Sequence, residues 1–230
     1  MKTLSEIVTI DGPSGGGKST ISRLLAKELG YAFLDTGAMY RAVGLAVQRA
    51  AIAPEEGAEL ASLLAGLEIN LVATAGETGV ILNGEDISAA IRSPEMAMLA
   101  SRVSALPMVR RYLTDLQRQI GAKGAVVTEG RDTGTVVFPQ AAHKFFLDAS
   151  PDERARRRVA QLREQGHQVD EQVILAQIIE RDRADSNRAH APLQPAADAV
   201  IVDSSHLDIA GVVALMLDQV KRNRNEQGAP

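Results

Sequence analysis

Short apolar runs alternate with amphipathic stretches along most of this chain, a pattern typical of layered strands and helices. Five of the runs have the length and composition of buried strands, and helical spacing follows most of them. These five runs lie at residues 7–10, 31–34, 125–127, 143–147 and 199–202. Because buried strands that alternate with helices favour parallel pairing, the sequence predicts a doubly wound α/β fold with a five-stranded parallel sheet.

Between these runs, apolar residues recur at the three- and four-residue spacing of helices. The first such stretch covers 21–29, and Gly30 is placed to cap its end. Ser93 and Ser150 each precede a proline and an acidic residue, a combination that favours a helix start. Other helices are predicted at about 38–51, at 60–64, from 107, at about 170–185 and at about 208–222.

Residues 67–88 follow a different pattern. Leu67, Ile69 and Leu71 alternate with polar residues, which is typical of a half-buried strand. A polar turn at 74–79 and a second apolar run come next, and Asn83-Gly84 is a strong tight-turn dipeptide. The sequence therefore predicts a small antiparallel sheet here, inserted among the parallel units.

Composition and charge narrow the class of protein. A chain of 230 residues suits one domain, and with 3% aromatic residues and no Trp its core must be aliphatic. The net charge of −4 argues against a general nucleic-acid binder. No apolar run approaches the ~20 residues of a membrane span, and the N-terminus enters a strand rather than a signal peptide. The absence of Cys fits a reducing cytosol, so a cytoplasmic location is expected.

The motif that organises the chain begins where the first strand ends. It reads G-P-S-G-G-G-K-S, a complete G-x-x-x-x-G-K-[ST] phosphate loop. Glycines let backbone N–H groups curl around a polyphosphate, Lys18 can reach its β and γ oxygens, and the Ser19 hydroxyl can ligate Mg²⁺. A turn that matches by chance would not need the strand before it and the helix after it. The predicted nucleoside triphosphate site comprises Gly12, Pro13, Ser14, Gly15, Gly16, Gly17, Lys18, Ser19 and Thr20.

Two other predicted strands also end in polar motifs, which places them at the same edge of the sheet. After the second strand comes D-T-G-A-M-Y-R, whose Thr36 and Arg41 could face a ligand; the alternative is a plain helix cap. After the third comes E-G-R-D-T-G, in which Arg131 offers a forked donor for phosphate and Asp132 an acceptor for the amino group of a base. A turn with a local ion pair is the alternative there.

Further arginines occur late in the chain. Arg181, Asp185 and Arg188 share one helix face if the predicted helix extends that far, although a solvated surface face would look the same. A dense cationic run at 154–158 would suit a segment that closes over a reacting phosphoryl group. A nucleotide switch needs only the loop, Mg²⁺ and two responsive segments. This chain has additional arginines, enough to bind a second phosphate ester. They indicate transfer between two nucleotides instead.

With these residues identified, the chain closely resembles the bacterial cytidylate kinases of the nucleoside monophosphate kinase superfamily. The resemblance covers about residues 5–220 and rests on IDGPSGGGKST, LDTGAMYR, GRDTGTVVFP and RDRADSNRAHAPL. It implies an adenylate-kinase-like single domain with its core at about 5–55, 107–150 and 196–222. It also implies an inserted monophosphate-binding subdomain at about 56–106 and a helical lid at about 151–195.

The resemblance further implies MgATP as the phosphoryl donor and CMP or dCMP as the acceptor, in pyrimidine nucleotide metabolism. The implied ligands of the acceptor phosphate are Thr36, Arg41, Arg131, Arg181 and Arg188. The implied readers of cytosine are Ser101, Arg110 and Asp132, with Asp185 on the ribose. The resemblance implies a catalytic role for Lys18 of the loop, for Arg131 and Arg181, and for Arg157 of the lid. Glu129 stands where Asp is commoner in the family, so its part in the metal shell stays open.

Several alternatives share parts of this pattern. A kinase for UMP, AMP or shikimate would have the same loop and fold. A nucleotide-dependent switch would hydrolyse slowly and ignore monophosphates, and a nucleic-acid-modifying enzyme fits the acidic balance poorly. Nothing in the sequence indicates an oligomeric interface, so a monomer is expected.

Overall fold

A computed structural model describes residues 6–74, 77–164 and 166–227. The chain divides into two compact units, one comprising everything up to Phe33 and from Gly124 onward, the other Leu34–Lys123. The division predicted from the sequence, into a core, an insert at about 56–106 and a lid at about 151–195, stays a prediction. Along the described residues, no helix is both long enough and apolar enough to cross a membrane.

Strands and helices alternate along the described residues much as the sequence predicts. The strands are β1 Ile7–Asp11, β2 Ala32–Asp35, β3 Ile69–Thr74, β4 Glu77–Leu82, β5 Glu85–Asp86, β6 Val126–Gly130, β7 His143–Asp148 and β8 Val200–Asp203. The α-helices are α1 Lys18–Leu29, α2 Thr36–Arg49, α3 Ala58–Ala65, α4 Pro94–Ser104, α5 Pro107–Gly121, α6 Pro151–Glu164, α7 Glu171–Asn187 and α8 Ile209–Gln227. The described residues also form a 3-10 turn at Ala90–Arg92 and a π-helical turn at Thr133–Val137.

The larger sheet has five strands in the order β2-β6-β1-β7-β8. Strand β1 pairs in parallel with β6 on one side and β7 on the other, and β7 pairs in parallel with β8. In this register Asp11 lies beside Gly130, and Asp148 lies beside Asp203. The loops after these four strands therefore emerge at one edge of the sheet, the edge where ligands bind in such folds. The predicted five-stranded parallel α/β sheet is confirmed.

The core of the first unit lies between this sheet and the helices α1 and α8. Strands β1 and β7 are buried almost throughout, which explains why their sequences are continuous apolar runs rather than alternating ones. The side chains are mainly aliphatic, with Phe145 the largest fully buried one in this cluster. The cluster includes Val8, Ile10, Ile21, Leu25, Val127, Phe145, Leu147, Val212 and Met216.

The second unit contains the smaller sheet, in which β3, β4 and β5 are antiparallel. The predicted antiparallel sheet is therefore confirmed, and Asn83 and Gly84 adopt the positive φ angles, 49° and 85°, of its tight turn. The predicted polar turn at 74–79 is too long, because β4 already begins at Glu77; residues 75 and 76 lie outside the described residues. The Tyr112 hydroxyl of α5 donates to the Leu67 carbonyl at 2.6 Å, which connects this helix to the segment that leads into β3.

Candidate active site

The phosphate loop connects β1 to α1 and depends on glycine at several positions. Gly12, Gly15 and Gly17 have φ angles of 151°, 77° and 83°, a region that L side chains rarely adopt. At Gly12 the constraint is also steric, since a Cβ atom there would lie 2.0 Å from the Leu147 carbonyl oxygen on β7. The loop can therefore leave the sheet in this direction only with glycine at position 12.

Lys18, at the start of α1, is buried under the loop. Its Nζ donates to the Pro13 carbonyl at 2.5 Å. Burial, and after it charge repulsion from Arg131 and Arg181, lowers the pKa of Lys18 to about 7, while Glu129 and Asp11 act in the opposite direction. Because the pKa of Lys18 is so low, a bound anion would stabilise its protonated form. The loop is therefore a site that favours polyphosphate.

Asp11 fixes the segment that follows β6. Its carboxylate accepts hydrogen bonds from the Thr133 backbone N–H at 2.8 Å, the Thr133 hydroxyl at 2.8 Å and the Gly134 N–H at 2.7 Å. Burial raises the pKa of Asp11, while these hydrogen bonds act to lower it. A Cβ atom at Gly134 would lie 2.8 Å from the Thr9 hydroxyl oxygen, so this segment packs closely on β1. The end of one strand thus positions the polar motif of its neighbour.

Two ion pairs connect that motif to the end of α7. Arg131 Nε lies 2.8 Å from Asp185 Oδ2, and Arg188 Nη2 lies 3.4 Å from Asp132 Oδ1. Arg188 also donates through Nε to the Ala191 carbonyl. Burial alone would raise the pKa of Asp185, but the charges of Arg131, Arg181 and Arg188 outweigh it and hold that pKa below its ordinary value. Five residues predicted from two separate motifs therefore meet in the first unit.

The structure corrects one detail of the prediction for α7. Helix α7 ends at Asn187, and Arg188 has extended backbone angles, φ −64° and ψ 141°. Arg181 and Asp185 share a helix face as expected, whereas Arg188 reaches Asp132 from the residue that follows the helix. The sequence pattern could not show this, because helix ends depend on tertiary contacts such as the hydrogen bond from the Leu193 N–H to the Asp185 carbonyl.

Arg157, predicted to act from the lid, is bound to Glu153 and Ser204 in this structure. Its guanidinium donates to Glu153 on its own helix at 2.8 Å and to the Ser204 carbonyl at 2.5 Å. Its role at a phosphoryl group stays a prediction. Arg154, from the same cationic run, is 3% exposed and donates to the Ser14 carbonyl of the phosphate loop at 3.0 Å. The sequence did not distinguish these two arginines, because a run of charges gives no direction.

The second unit holds four of the predicted acceptor residues. Thr36 is the first residue of α2 and is buried. Asp35 caps this helix by accepting from the Ala38 N–H at 2.8 Å, and its second oxygen lies 3.4 Å from Arg41 Nη2. The capping interpretation is therefore confirmed for Asp35. It leaves the Thr36 hydroxyl and the Arg41 guanidinium as the chemical groups that this motif offers to a ligand.

Arg110 and Ser101 lie on neighbouring helices of that unit. The Arg110 side chain is buried, donates to the Ser104 carbonyl at 3.2 Å and stands over the Tyr40 ring at 5.9 Å from its centre. Ser101, one turn before Ser104 on α4, accepts the Ser104 hydroxyl on its carbonyl at 2.8 Å. A buried guanidinium supported by an aromatic ring is a rigid donor, which suits the recognition of a planar ligand.

A parallel sheet with this loop, a buried lysine, an arginine directly after β6 and another on α7 defines a phosphate-loop protein of the nucleotide kinase class. A family model described as cytidylate kinase matches residues 8–222. The chain belongs to the cytidylate kinase family.

Individual relatives agree with this assignment. A cytidylate kinase from Syntrophotalea carbinolica is 52% identical over 93% of this chain and 91% of that protein. A cytidylate kinase from Geobacter sulfurreducens is 51% identical over 97% of this chain and 96% of that protein. Among solved structures, a gluconokinase from Sinorhizobium meliloti is 15% identical, covers 99% of this chain and 100% of its own, and has a TM-score of 0.48. That score is too low to bear on fold or function.

Proposed function

We propose that this protein transfers the γ-phosphoryl group of ATP to CMP or dCMP, giving ADP and CDP or dCDP. Membership of the cytidylate kinase family is the first support. The observation that carries the proposal furthest is the surroundings of Lys18, where Arg131 and Arg181 come from two other segments and repel its charge. Three cations gathered at a glycine loop favour a multiply charged anion, and transfer needs two phosphates to meet there.

The donor site is the phosphate loop, residues 12–20. Its backbone N–H groups and the N-terminus of α1 bind the β and γ phosphates, and Lys18 contacts them by charge. The 2.5 Å hydrogen bond from Lys18 to the Pro13 carbonyl holds the ammonium group within the loop. We infer that an arriving polyphosphate raises the pKa of Lys18 from about 7, because a nearby opposite charge favours the protonated form.

The oxygen donors at this place fit Mg²⁺, which prefers few protein ligands together with phosphates and water. Ser19 is exposed at the second position of α1, and its hydroxyl is the direct candidate ligand. The Asp11 carboxylate binds Thr133 and Gly134. Glu129, which is buried and acts on Lys18 by charge, is a candidate acid for an outer shell. Bound Mg²⁺ would supply charge neutralisation on the phosphates of ATP.

Each unit holds residues that are predicted to bind the acceptor. In the first unit Arg131, Arg181 and Arg188 supply positive charge for the phosphate of CMP, and the Arg131–Asp185 pair at 2.8 Å fixes one of them. In the second unit Thr36, Arg41, Ser101 and Arg110 supply donors for phosphate and base. Asp132 is assigned to the cytosine amino group because a carboxylate accepts from N4, and Asp185 to the ribose.

The reaction needs alignment and charge more than proton transfer. The phosphate of CMP is already an anion near neutral pH, so no strong general base is required. Lys18, Arg131 and Arg181 stabilise the charge that spreads over the equatorial oxygens of the transferring group, and Arg157 is proposed to join them from the lid.

An acceptor panel tests this function. Initial rates of ADP formation from ATP are measured with CMP, dCMP, UMP, AMP and shikimate at equal concentrations. CMP or dCMP is expected to give the highest kcat/KM, since cytosine, unlike uracil, presents a pyrimidine amino group to Asp132. A faster reaction with UMP, AMP or shikimate would reassign the acceptor. Slow ADP formation that no acceptor stimulates would indicate a nucleotide switch instead.

A further inference from the structure

Arg154 is a buried arginine that contacts both the phosphate loop and helix α7. It lies in the first turn of α6 and is 3% exposed. Its guanidinium donates through Nη1 to the Ser14 carbonyl at 3.0 Å and through Nε to the Ala149 carbonyl at 2.9 Å. Its Nη2 lies 2.7 Å from Asp182 Oδ2 on α7. One rigid fork therefore spans three segments of the first unit.

A buried guanidinium of this kind is costly unless its charge and its donors are all matched. Asp182 supplies the opposite charge, and the two carbonyls accept two further N–H groups. The side chain also packs under the loop, because a Cβ atom at Gly15 would lie 3.5 Å from Arg154 Cβ. Because the guanidinium is planar, its three contacts fix the directions of their partners as well as the distances.

The partner on α7 is close in sequence to the acceptor residues. Asp182 follows Arg181 directly and stands three residues before Asp185, which pairs with Arg131. Positions three apart on a helix are neighbours on its surface, so Asp182 and Asp185 face the same part of the first unit. A displacement of α7 relative to the phosphate loop would have to break the Arg154–Asp182 ion pair in a water-poor place.

We propose that Arg154 is a positioning residue for phosphoryl transfer, holding the phosphate loop and α7 in register through Ser14 and Asp182. It keeps Arg181 and Asp185 aligned with Lys18, and it does so without touching either nucleotide. The inference rests on the proposed function, because its measured quantity is transfer from ATP to CMP. Arg181 acts on Lys18 by charge, and Arg154 acts through α7, which carries Arg181.

The first test compares Arg154→Met with a matched control on the same helix. Arg156 is 69% exposed and pairs with Glu153 at 2.7 Å, so Arg156→Met also breaks an ion pair of α6 but leaves the loop alone. Because a small misalignment of reacting groups can cost about 10²-fold, kcat is expected to fall by about that factor in Arg154→Met. An exposed pair contributes little, so the control is expected to stay within about twofold of the wild type. The loss should appear in kcat rather than in the KM for ATP, since the loop amides and Lys18 remain.

A second test separates positioning from simple stabilisation. Arg154→Met alone leaves Asp182 without its partner and lowers stability, whereas Arg154→Met with Asp182→Leu removes both charges. Replacing a buried ion pair with apolar residues is often neutral for stability, so the double variant is expected to unfold near the wild-type temperature. If Arg154 positions α7, kcat of this stable double variant stays low, by about 10²-fold.

Three results would overturn the proposal. They are a kcat for Arg154→Met equal to that of Arg156→Met, a recovery of kcat together with stability in the double variant, and a double variant that cannot fold. If Arg154→Met does not fold, the double variant decides alone. A wild-type enzyme that does not phosphorylate CMP would instead contradict the proposed function, so the two failures are distinguishable.

Discussion

Replacing Gly12 with alanine should break the phosphate loop at its first residue. The backbone there has φ 151°, and the new Cβ atom would lie 2.0 Å from the Leu147 carbonyl oxygen, whereas ordinary van der Waals contact begins at 3.4 Å. Leu147 is fully buried in β7, which pairs with β1 on one side and β8 on the other. The carbonyl therefore cannot move away without disturbing the parallel sheet.

The size of the effect follows from two costs. A residue forced into a rarely populated φ/ψ region costs about 1–3 kcal/mol. Relief of the clash requires either a displacement of β7 or a different path for the loop, and overpacking of this kind costs about 1–3 kcal/mol more. A total loss of about 2–6 kcal/mol is a large part of the 5–15 kcal/mol typical of a folded domain. We therefore expect ATP binding to be lost as well, since the loop must shift to accommodate alanine.

Gly30 supplies the matched control. It ends α1 with φ 68°, and a Cβ atom there would have nothing within 4 Å. Gly30→Ala should cost only about 1 kcal/mol, the backbone part of the effect, and leave kcat unchanged. The assay is urea unfolding of both variants, followed by calorimetric titration with MgATP. Equal destabilisation by Gly12→Ala and Gly30→Ala would refute the steric argument, and unchanged ATP affinity in Gly12→Ala would show that the loop does not need this path.

Three further predictions concern the candidate site and its support. Lys18→Ala should lower kcat by about 10³–10⁵-fold and leave CMP affinity largely intact, measured by coupled assay and by calorimetry; wild-type activity would remove Lys18 from catalysis. Asp132→Ala should reduce kcat/KM for CMP more than for UMP, and an unchanged ratio would mean that Asp132 does not recognise the base. Hydrogen bonds from Arg156 and then Arg157 outweigh burial and lower the pKa of Glu153 from 4.5 to about 2. Its contribution to stability is therefore complete above pH 4.5 and lost as the pH falls through 2. In Glu153→Gln the midpoint of thermal unfolding should depend less on pH between those values than in the wild type. Identical pH profiles of the two proteins would contradict this.

Much of the first unit could be predicted because its strands are buried on both faces. Such strands are continuous apolar runs, and β1 and β7 were predicted within one residue of their observed ends. The phosphate loop was predictable for a different reason, since its backbone path demands glycine at fixed positions, as the angles at Gly12, Gly15 and Gly17 show.

The supports of the site were harder to predict, because they depend on contacts between distant segments. Asp11 was assigned no role from the sequence, yet it fixes Thr133 and Gly134 after the neighbouring strand. The position of this acid between a buried strand and a glycine loop could have indicated a supporting role, although only weakly. The π-helical turn at Thr133–Val137 has no local signature, since short irregular helices are stabilised by such tertiary contacts.

The cationic run of α6 shows the same limit for charges. From sequence alone its arginines look equivalent, but Arg154 is buried against Ser14 and Asp182, while Arg156 is 69% exposed. The difference is set by the direction of the helix relative to the phosphate loop, which only the fold determines.

The central claim is phosphoryl transfer between two nucleotides, and a single-turnover experiment tests it most directly. Enzyme in excess is mixed with ATP labelled in its γ-phosphoryl group, Mg²⁺ and CMP, quenched at intervals, and the labelled products are separated. The account predicts that the label moves from ATP to CDP and that omission of CMP leaves it on ATP. Release of the label as inorganic phosphate at the same rate with and without CMP would contradict the account.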